Sequence, residues 1–462
     1  MITFKKNSDK TPSSRYWFIG VHISSAMRKL EAALVGVNGP ESGAELTLHK
    51  SVSFDLPEEI SSVYQEVLAA VRSQEELNFA NRRAKEETEE KEPFFLKSGT
   101  TVRSGKKASG TPYLSKLSLL RIMVASIQED AIAELLSDAE FKHDDVVAVA
   151  VNGPEFWTQN ADWEPEKTHF SVNNGKLLAE RTGLNVVDSF IPEDWSLIDR
   201  GNPFLAFPYW LLLSSPERAR LILDLGETAR WTYIPSAQNA QSWQEVIHRE
   251  VTPCGSLLNL MTQQVTKCET LVDVGGKLSV QGSRPAELLE HWHDVREKAL
   301  GYKEISPQYY QNSCSGIFSE TFYFDALKSS SRKFSSLDAL CASVHWIAEE
   351  IKASVDRSAA ALKEPYDLVL TGGAKQNGLL FTRLAALLTP TSVQKLSDFG
   401  LLEDSFDAVA TAVLGILFAA SVPAGRPEIT GVARPELLGR LSPGTPDAWS
   451  RFLRFVGAGK KA

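Results

Sequence analysis

Seven residues, Thr371-Gly372-Gly373-Ala374-Lys375-Gln376-Asn377, join an apolar run to a helix-like stretch. Glycine has no Cβ, so Gly372 and Gly373 let a ligand come close to the backbone. The amides that open the next helix, with Asn377 at its start, suit an anion or a ribose hydroxyl. A tight strand-to-helix connection is the alternative. Gly20-Val21-His22-Ile23-Ser24-Ser25-Ala26 links two strand-like runs. The hydroxyls of Ser24 and Ser25 and the exposed amides of such a turn can hold a phosphate, or the segment simply closes a hairpin. Asp194, in Ile191-Pro192-Glu193-Asp194-Trp195, lies on a loop after a strand ending at Val187. A carboxylate there can act as general base toward a hydroxyl or water; a solvated or capping aspartate is the bland alternative.

Other chemistries lack their residues. Gly275-Gly276-Lys277-Leu278-Ser279 misses the first glycine of a phosphate-binding P-loop, and no G-x-G-x-x-G follows a strand-like run. His291 and His293 are two apart in a helix-like segment and point to different sides, and zinc needs more ligands. Cys254, Cys268, Cys314 and Cys341 contain no C-x-x-C pair and read as reduced, mostly buried thiols of a cytoplasmic protein.

The elements that must position these residues follow from patterning. The strand-like runs 16–21, 32–37 and 46–52 open the chain, and a helix from about Pro57 to Val71 follows. Leu120, Val124, Ile127, Ala131 and Leu135 mark one face of a second helix. Asp145 to Val151 is an almost continuous apolar run, as in a strand buried on both faces. A helix at 177–182 and a strand at 184–187 complete the unit. The order then recurs: strands at 221–225, 230–234 and 248–252, a helix marked by Val344, Ile347, Ile351 and Val355, a buried strand at 367–370, a strand near Val393 and a buried helix from Asp404 to Ala420. Two copies of one α/β unit predict two lobes with a cleft between them, and ligands of such proteins bind at the carboxyl ends of strands.

A chain of 462 residues exceeds one ordinary core. The expected division is an N-terminal lobe at 15–205, a C-terminal lobe at 206–425 and a tail at 426–462 packing on the lobes. Residues 73–112 interrupt the first lobe with a charge run and a Gly/Ser/Lys-rich part, and are expected as a partly helical or disordered insertion. The net charge of −9 argues against nucleic-acid binding. The apolar stretch Val409 to Val422 is too short to span a bilayer, and the polar N-terminus has no signal-peptide core, so no membrane role is expected.

Two segments match one family's motifs. Leu177-Leu178-Ala179-Glu180-Arg181-Thr182-Gly183-Leu184-Asn185-Val186-Val187 is very close to its "IAERTG.PVV". Gly431-Val432-Ala433-Arg434-Pro435 with Leu438-Gly439-Arg440-Leu441-Ser442-Pro443-Gly444 is similar to its "TGA.RP..LG...PG". From about Gly20 to Gly444, the insertion apart, the chain resembles the anhydro-N-acetylmuramic acid kinases, whose relatives include levoglucosan kinase. The resemblance implies a two-lobed actin/hexokinase-like sugar kinase fold, a duplicated ribonuclease H-like α/β unit. It implies ATP and Mg2+ as cofactors, a small sugar as substrate and a tendency toward a homodimer. The implied reaction opens a 1,6-anhydro bond with water while ATP phosphorylates O6, in cell-wall recycling. Asp194 then corresponds to the base for the water. Ser24 and Ser25 fall in the first phosphate loop, Gly226 and Thr228 in the second, Gly372, Gly373 and Asn377 in the nucleotide turn. Asp407 stands where the family has a metal-associated glutamate.

This sequence also departs from the pattern. Ile23-Ser24-Ser25-Ala26-Met27-Arg28-Lys29 replaces "SGTSxDG", so Arg28 stands at a metal-binding aspartate, and a cation is no metal ligand. Asp224-Leu225-Gly226-Glu227-Thr228 replaces the start of "NIGGIANLT", putting Glu227 where a glycine stands. A carboxylate about 4 Å from a phosphate charge repels it by about 4 kcal/mol at an effective dielectric of ~20. "HGQT" has become Asn152-Gly153-Pro154-Glu155, and the aspartate of "DTGPGN" is lost at Val251-Thr252-Pro253-Cys254-Gly255-Ser256. Two functions therefore stand side by side: an ATP-dependent anhydro-sugar kinase, and a catalytically inactive pseudokinase that binds a sugar, a wall fragment or a protein. If Arg28 and Glu227 face each other across the cleft and fill it, the second reading gains.

Overall fold

The computed structural model describes residues 3–4, 16–38, 45–85, 111–137, 141–159, 167–191, 203–237, 242–301 and 317–458. Its first half begins with strands β1 (Thr3–Phe4), β2 (Tyr16–Ile23), β3 (Lys29–Val37) and β4 (Glu45–Asp55), then helices α1 (Glu58–Lys85) and α2 (Thr111–Leu135). Strand β5 (Val146–Asn152), a hairpin of β6 (Glu155–Gln159) and β7 (Lys167–Ser171), helix α3 (Gly175–Thr182) and β8 (Val186–Asp188) follow. Strands β2, β3 and β4 form an antiparallel meander, while β5 and β8 extend the sheet in parallel from β2. The order is β4-β3-β2-β5-β8, with β1 added at one edge.

After helix α4 (Ala206–Leu213) the same order appears again. Strands β9 (Ala219–Leu225), β10 (Thr228–Ile234) and β11 (Ile247–Pro253) form the meander. Helices α5 (Gly255–Thr266), α6 (Ala286–Leu300), α7 (Glu320–Ser329) and α8 (Ser336–Arg357) lead to β12 (Tyr366–Thr371), α9 (Gly378–Leu388), β13 (Val393–Gln394) and α10 (Phe406–Ala419). The order β11-β10-β9-β12-β13 repeats the first sheet, with β12 and β13 again parallel to the first strand of the unit. This twofold strand order is the duplicated ribonuclease H-like arrangement of the actin/hexokinase-like fold. The chain ends with α11 (Pro427–Thr430), β14 (Arg440–Ser442) and α12 (Pro446–Ala458). Strand β14 pairs antiparallel with β8, and Phe455 of α12 meets the rings of Tyr16 and Phe18 edge-on.

Helix α1 runs to Lys85, well into the expected insertion, and residues 86–110 lie outside the described residues. Its continuation through Ser73 to Lys85 uses good helix formers such as Glu, Ala, Arg and Lys. Cys254 and Cys341 are buried, but Cys268 is exposed, because it sits in a left-handed turn (φ 69°) just past the end of α5. His291 Nε2 donates to the Ala326 carbonyl (2.9 Å), and His293 lies 3.8 Å from Glu350, so the two histidines serve separate helix contacts. Among the described residues no helix is long and apolar enough to cross a membrane.

Helices α4 and α10 are apolar almost all round, as helices buried between two sheets must be. A single core joins Phe18, Val35 and Ala150 of the first sheet, both helices, and Ile222 and Val369 of the second sheet. The approach of α10 to the first sheet depends on missing side chains. A Cβ at Gly20 of β2 would lie 1.9 Å from the Ala408 carbonyl oxygen and 2.5 Å from the Ala412 nitrogen. A Cβ at Gly415 of α10 would lie 2.8 Å from that of Ala150 on β5.

Gly20→Ala therefore has to push α10 away from the sheet. The expected result is a loss of roughly 1–3 kcal/mol, the usual cost of overpacking a core. Urea unfolding of the two proteins checks this, and an unchanged midpoint would show that the helix contact is loose.

Candidate functional site

The carboxyl ends of β2, β5, β9 and β12 face a common cavity of about 590 Å³ between the two units. That size is ordinary for a cleft that takes a nucleotide-sized ligand. Ser24, Ser25, Gly226, Thr228, Gly372, Gly373, Asn377 and Asp407 all line it. Asp194 lies outside the described residues.

On the second unit's side, two turns are stacked on each other. Gly372 has φ 82°, and a Cβ there would lie 2.4 Å from the carbonyl carbon of Leu225. Glycine is thus required for the β12 turn to touch the β9 turn. The Gly226 carbonyl accepts from the Gly255 amide (2.8 Å), and the Glu227 carbonyl accepts from the Cys254 amide (2.8 Å) and the Ser256 hydroxyl (3.1 Å). These bonds draw the carbonyls of the turn back toward α5. Gly373 is exposed, and a Cβ built there meets nothing within 4 Å. Packing places no demand for glycine at that position, so its side of the cavity is left open. Thr228 is buried at the start of β10. Asn377 is committed to the fold: its Oδ1 accepts from the Leu380 amide (3.1 Å) as the cap of α9, and its Nδ2 donates to Ser279 Oγ (3.3 Å). It borders the cavity while its amide group serves the helix.

On the first unit's side, Ser24 closes the hairpin between β2 and β3. Its hydroxyl accepts from the Arg28 and Lys29 amides (3.2 and 3.1 Å), its own amide donates to the Lys29 carbonyl (2.9 Å), and its carbonyl accepts from Met27 (2.8 Å). Met27, at φ 53°, is fully buried and anchors the tip. The segment is a self-closed hairpin, and its Ser24, Ser25 and Arg28 line the cavity. Arg28 and Glu227 belong to different units and line the same cavity, and no contact ion pair joins them. Burial raises the Glu227 carboxyl above the usual range, the Arg28 charge opposes that shift, and Glu320 adds to it.

The floor between the units is a polar network. Tyr209 of α4 donates to Asp407 Oδ1 (2.7 Å), and His22 Nε2 lies 3.8 Å from Asp407 Oδ2. Burial lowers the His22 pKa, with Asp407 opposing and Arg230 assisting, so the imidazole is neutral near pH 7. Arg230 is held by Glu250 (2.8 Å) and Asp224 (3.6 Å). Burial pushes Asp224 up to about 6, against Arg230 and with help from Asp407. Glu31, opposite His22 in the β2–β3 register, is pushed up to about 8 by burial and then by Asp407, with Lys29 (3.5 Å) opposing.

A divalent cation fits this floor. Asp224 of β9 and Asp407 of α10 line one cavity, and the Asp407 charge adds to the cost of ionising Asp224. A cation between them would relieve that cost. Among the described residues no cluster of three or more acidic, histidine or cysteine ligands exists. Mg2+ usually takes one or two carboxylates plus phosphates and water, so Asp224 and Asp407 are the residues that could hold it.

Beyond the floor, Tyr64, Gln65 and Leu68 of α1 and Asn152, Pro154 and Glu155 form another end of the cavity. Tyr64 stacks on Phe156 at 5.1 Å. Burial pushes Glu155 up to about 8, a hydrogen bond from Ser171 opposes this, and the Asp188 charge adds to it. His22, Glu31, Tyr209, Asp224 and Arg230 were not singled out as site residues from sequence. The signal existed in part: a charged or imidazole side chain interrupts otherwise apolar strands at His22, Asp224 and Arg230.

The family model for anhydro-N-acetylmuramic acid kinase matches residues 103–444. An anhydro-N-acetylmuramic acid kinase from Acaryochloris marina is 29% identical over 278 residues, covering 58% of this chain and 69% of that one. One from Gloeobacter violaceus is 25% identical, covering 73% of this chain and 85% of its own. One from Crocosphaera subtropica is 22% identical and covers 92% of this chain and 98% of its own.

The Glu155 carboxyl provides a test of the cavity's burial. Its pKa is raised on folding, so the native state holds the proton more tightly than the unfolded chain. The associated stability is present below about 4.5 and is lost as the pH rises toward about 8. Glu155→Gln cannot ionise. Its Tm relative to the natural protein is expected to climb steadily between pH 5 and pH 8.5. A difference that stays flat across that range would show that Glu155 is ionised and solvated.

Proposed function

This chain belongs to the anhydro-N-acetylmuramic acid kinase family, and we propose that it phosphorylates a 1,6-anhydro amino sugar with ATP while opening the anhydro bridge. The observation that carries the reading is the single cavity that unites the stacked glycine turns of one unit with the Ser24 hairpin and the Glu155 pocket of the other. Glycine turns suit phosphates, and a pocket of hydroxyl, amide and carboxyl groups beside an aromatic ring suits a sugar.

In this proposal the nucleotide lies along Gly226, Thr228, Gly372 and Gly373, with Ser24 and Ser25 toward its terminal phosphate. Mg2+, held by Asp407 with Asp224, would offset the negative charge of the phosphates. Asp194 accepts a proton from water as its oxygen bonds to the anomeric carbon. The bond from that carbon to O6 breaks, and O6 takes the terminal phosphoryl group, leaving ADP. Tyr209 fixes the Asp407 carboxylate through its 2.7 Å hydrogen bond, and neutral His22 keeps that carboxylate free of a fixed counter-charge. The proposed setting is the cytoplasm, with wall-derived sugars as substrate class and a homodimer as assembly.

Glu227 is the observation that favours a second reading, a binding protein without turnover. It lies in the cavity at a turn that otherwise suits phosphate. Calorimetric titration with Mg-ATP, followed by a phosphotransfer assay on anhydro sugars, separates the two. The kinase reading expects micromolar to millimolar ATP binding and a 6-phosphorylated, ring-opened product. No binding at several millimolar ATP would leave the binder.

Asp194→Asn tests the role of the base. Turnover is expected to fall by at least a thousandfold, the upper range for losing a general base, with Tm and ATP affinity unchanged. Retained turnover would remove Asp194 from the reaction.

A further inference from the structure

Four permanently cationic side chains line the cavity: Arg28, Lys29, Arg230 and Lys375. Three are already spent. Lys29 is bound by Asp404 (2.6 Å) and Glu31 (3.5 Å). Arg230 is bound by Glu250 and Asp224. Lys375 is bound by Glu403. Among the described residues no carboxylate lies within ion-pair distance of Arg28. Its backbone is nonetheless fixed, because its amide donates to Ser24 Oγ and the preceding Met27 is buried in the first unit's core. The protein thus fixes the backbone of one arginine at the cavity wall, and among the described residues no carboxylate lies within ion-pair distance of its guanidinium.

The opposite wall is the stack of Gly226, Glu227 and Gly372. A nucleotide whose phosphates follow those turns, as proposed above, brings its terminal phosphate toward the hairpin. We infer that Arg28 is a phosphate-binding residue, whose guanidinium neutralises the terminal phosphate of a nucleoside triphosphate and lessens its dependence on a divalent cation. The planar guanidinium offers paired N–H groups that match two phosphate oxygens. Glu227 belongs to the same arrangement. Burial raises the pKa of its carboxyl, and the Arg28 charge opposes that shift. The inference rests on the nucleotide reading of the cavity.

The experiment is calorimetric titration of ATP into the full chain, once in excess EDTA and once in Mg2+, for the natural protein, Arg28→Ala and Arg28→Lys. Among the described residues Arg28 is in no contact ion pair, so Arg28→Ala is expected to keep its Tm. The natural protein is expected to bind ATP in EDTA, and Arg28→Ala to weaken that binding by roughly ten- to a hundredfold, the range for a charge-assisted hydrogen bond. Arg28→Lys should recover part of the loss, and the effect of Arg28→Ala should shrink in Mg2+. The same loss is expected in a Glu227→Gln background. If Arg28→Ala matches the natural protein in EDTA, the inference falls while the nucleotide reading stands. If the loss disappears in the Glu227→Gln background, Arg28 serves only to balance Glu227, and the inference again falls. If the natural protein binds no ATP in either buffer, the nucleotide reading falls and takes the inference with it.

Discussion

The close contact between α10 and the first sheet determines where the rest of the site can be. Gly20 and Gly415 remove the two side chains that would hold helix and strands apart, and the Ala150 and Ala408 positions keep the gap narrow. Backbone-level contact of this kind leaves little freedom to slide, because protein interiors are packed as densely as crystals. Asp407 sits in the first turn of α10, so its position follows directly from that seating. The helix therefore carries a carboxylate from the second unit's chain segment to a point beside His22 of the first unit and Tyr209 of α4. Core packing and site geometry are one constraint here.

The polar floor combines matched charges with acids that burial displaces upward. Arg230 is matched by Glu250 and Asp224, and burial of an arginine is tolerable when its donors meet carboxylates. The remaining acids are displaced upward, Asp224 to about 6 and Glu31 to about 8, and His22 is displaced downward. All three shifts lead with burial, which disfavours the charged form of each.

Much of the fold was legible because its strands are short apolar runs ending at glycine or polar turns. The meanders at 16–52 and 221–252, the buried strands at 146 and 367 and the helix after Asp404 lie close to their expected places. The glycine turns were legible too, since Gly372 interrupts the chain between a strand and a helix. The floor was not. His22 and Glu31 meet only through strand register, and Asp407 and Tyr209 only through the crossing of two helices almost 200 residues apart in sequence. Periodicity names the face of an element but not the neighbour across a cleft. Asn377 shows the opposite limit: its position in a glycine turn suggested a ligand contact, whereas its side chain caps α9.

The two departures in the phosphate loops acquire a common explanation when their environments are compared. Taken alone, Arg28 removes a metal ligand and Glu227 adds repulsion. In the structure they stand on opposite walls of one cavity, close enough for each charge to act on the other yet not in contact. A positive charge has appeared on the first unit's hairpin and a negative one on the second unit's turn, so the net charge of the pair is zero. A nucleotide entering between them meets, on one side, a guanidinium with no carboxylate at ion-pair distance among the described residues. On the other it meets the Glu227 carboxyl, whose pKa burial raises. On the proposed nucleotide reading, the altered loops shift the neutralisation of phosphate from a carboxylate-held metal toward a side-chain cation.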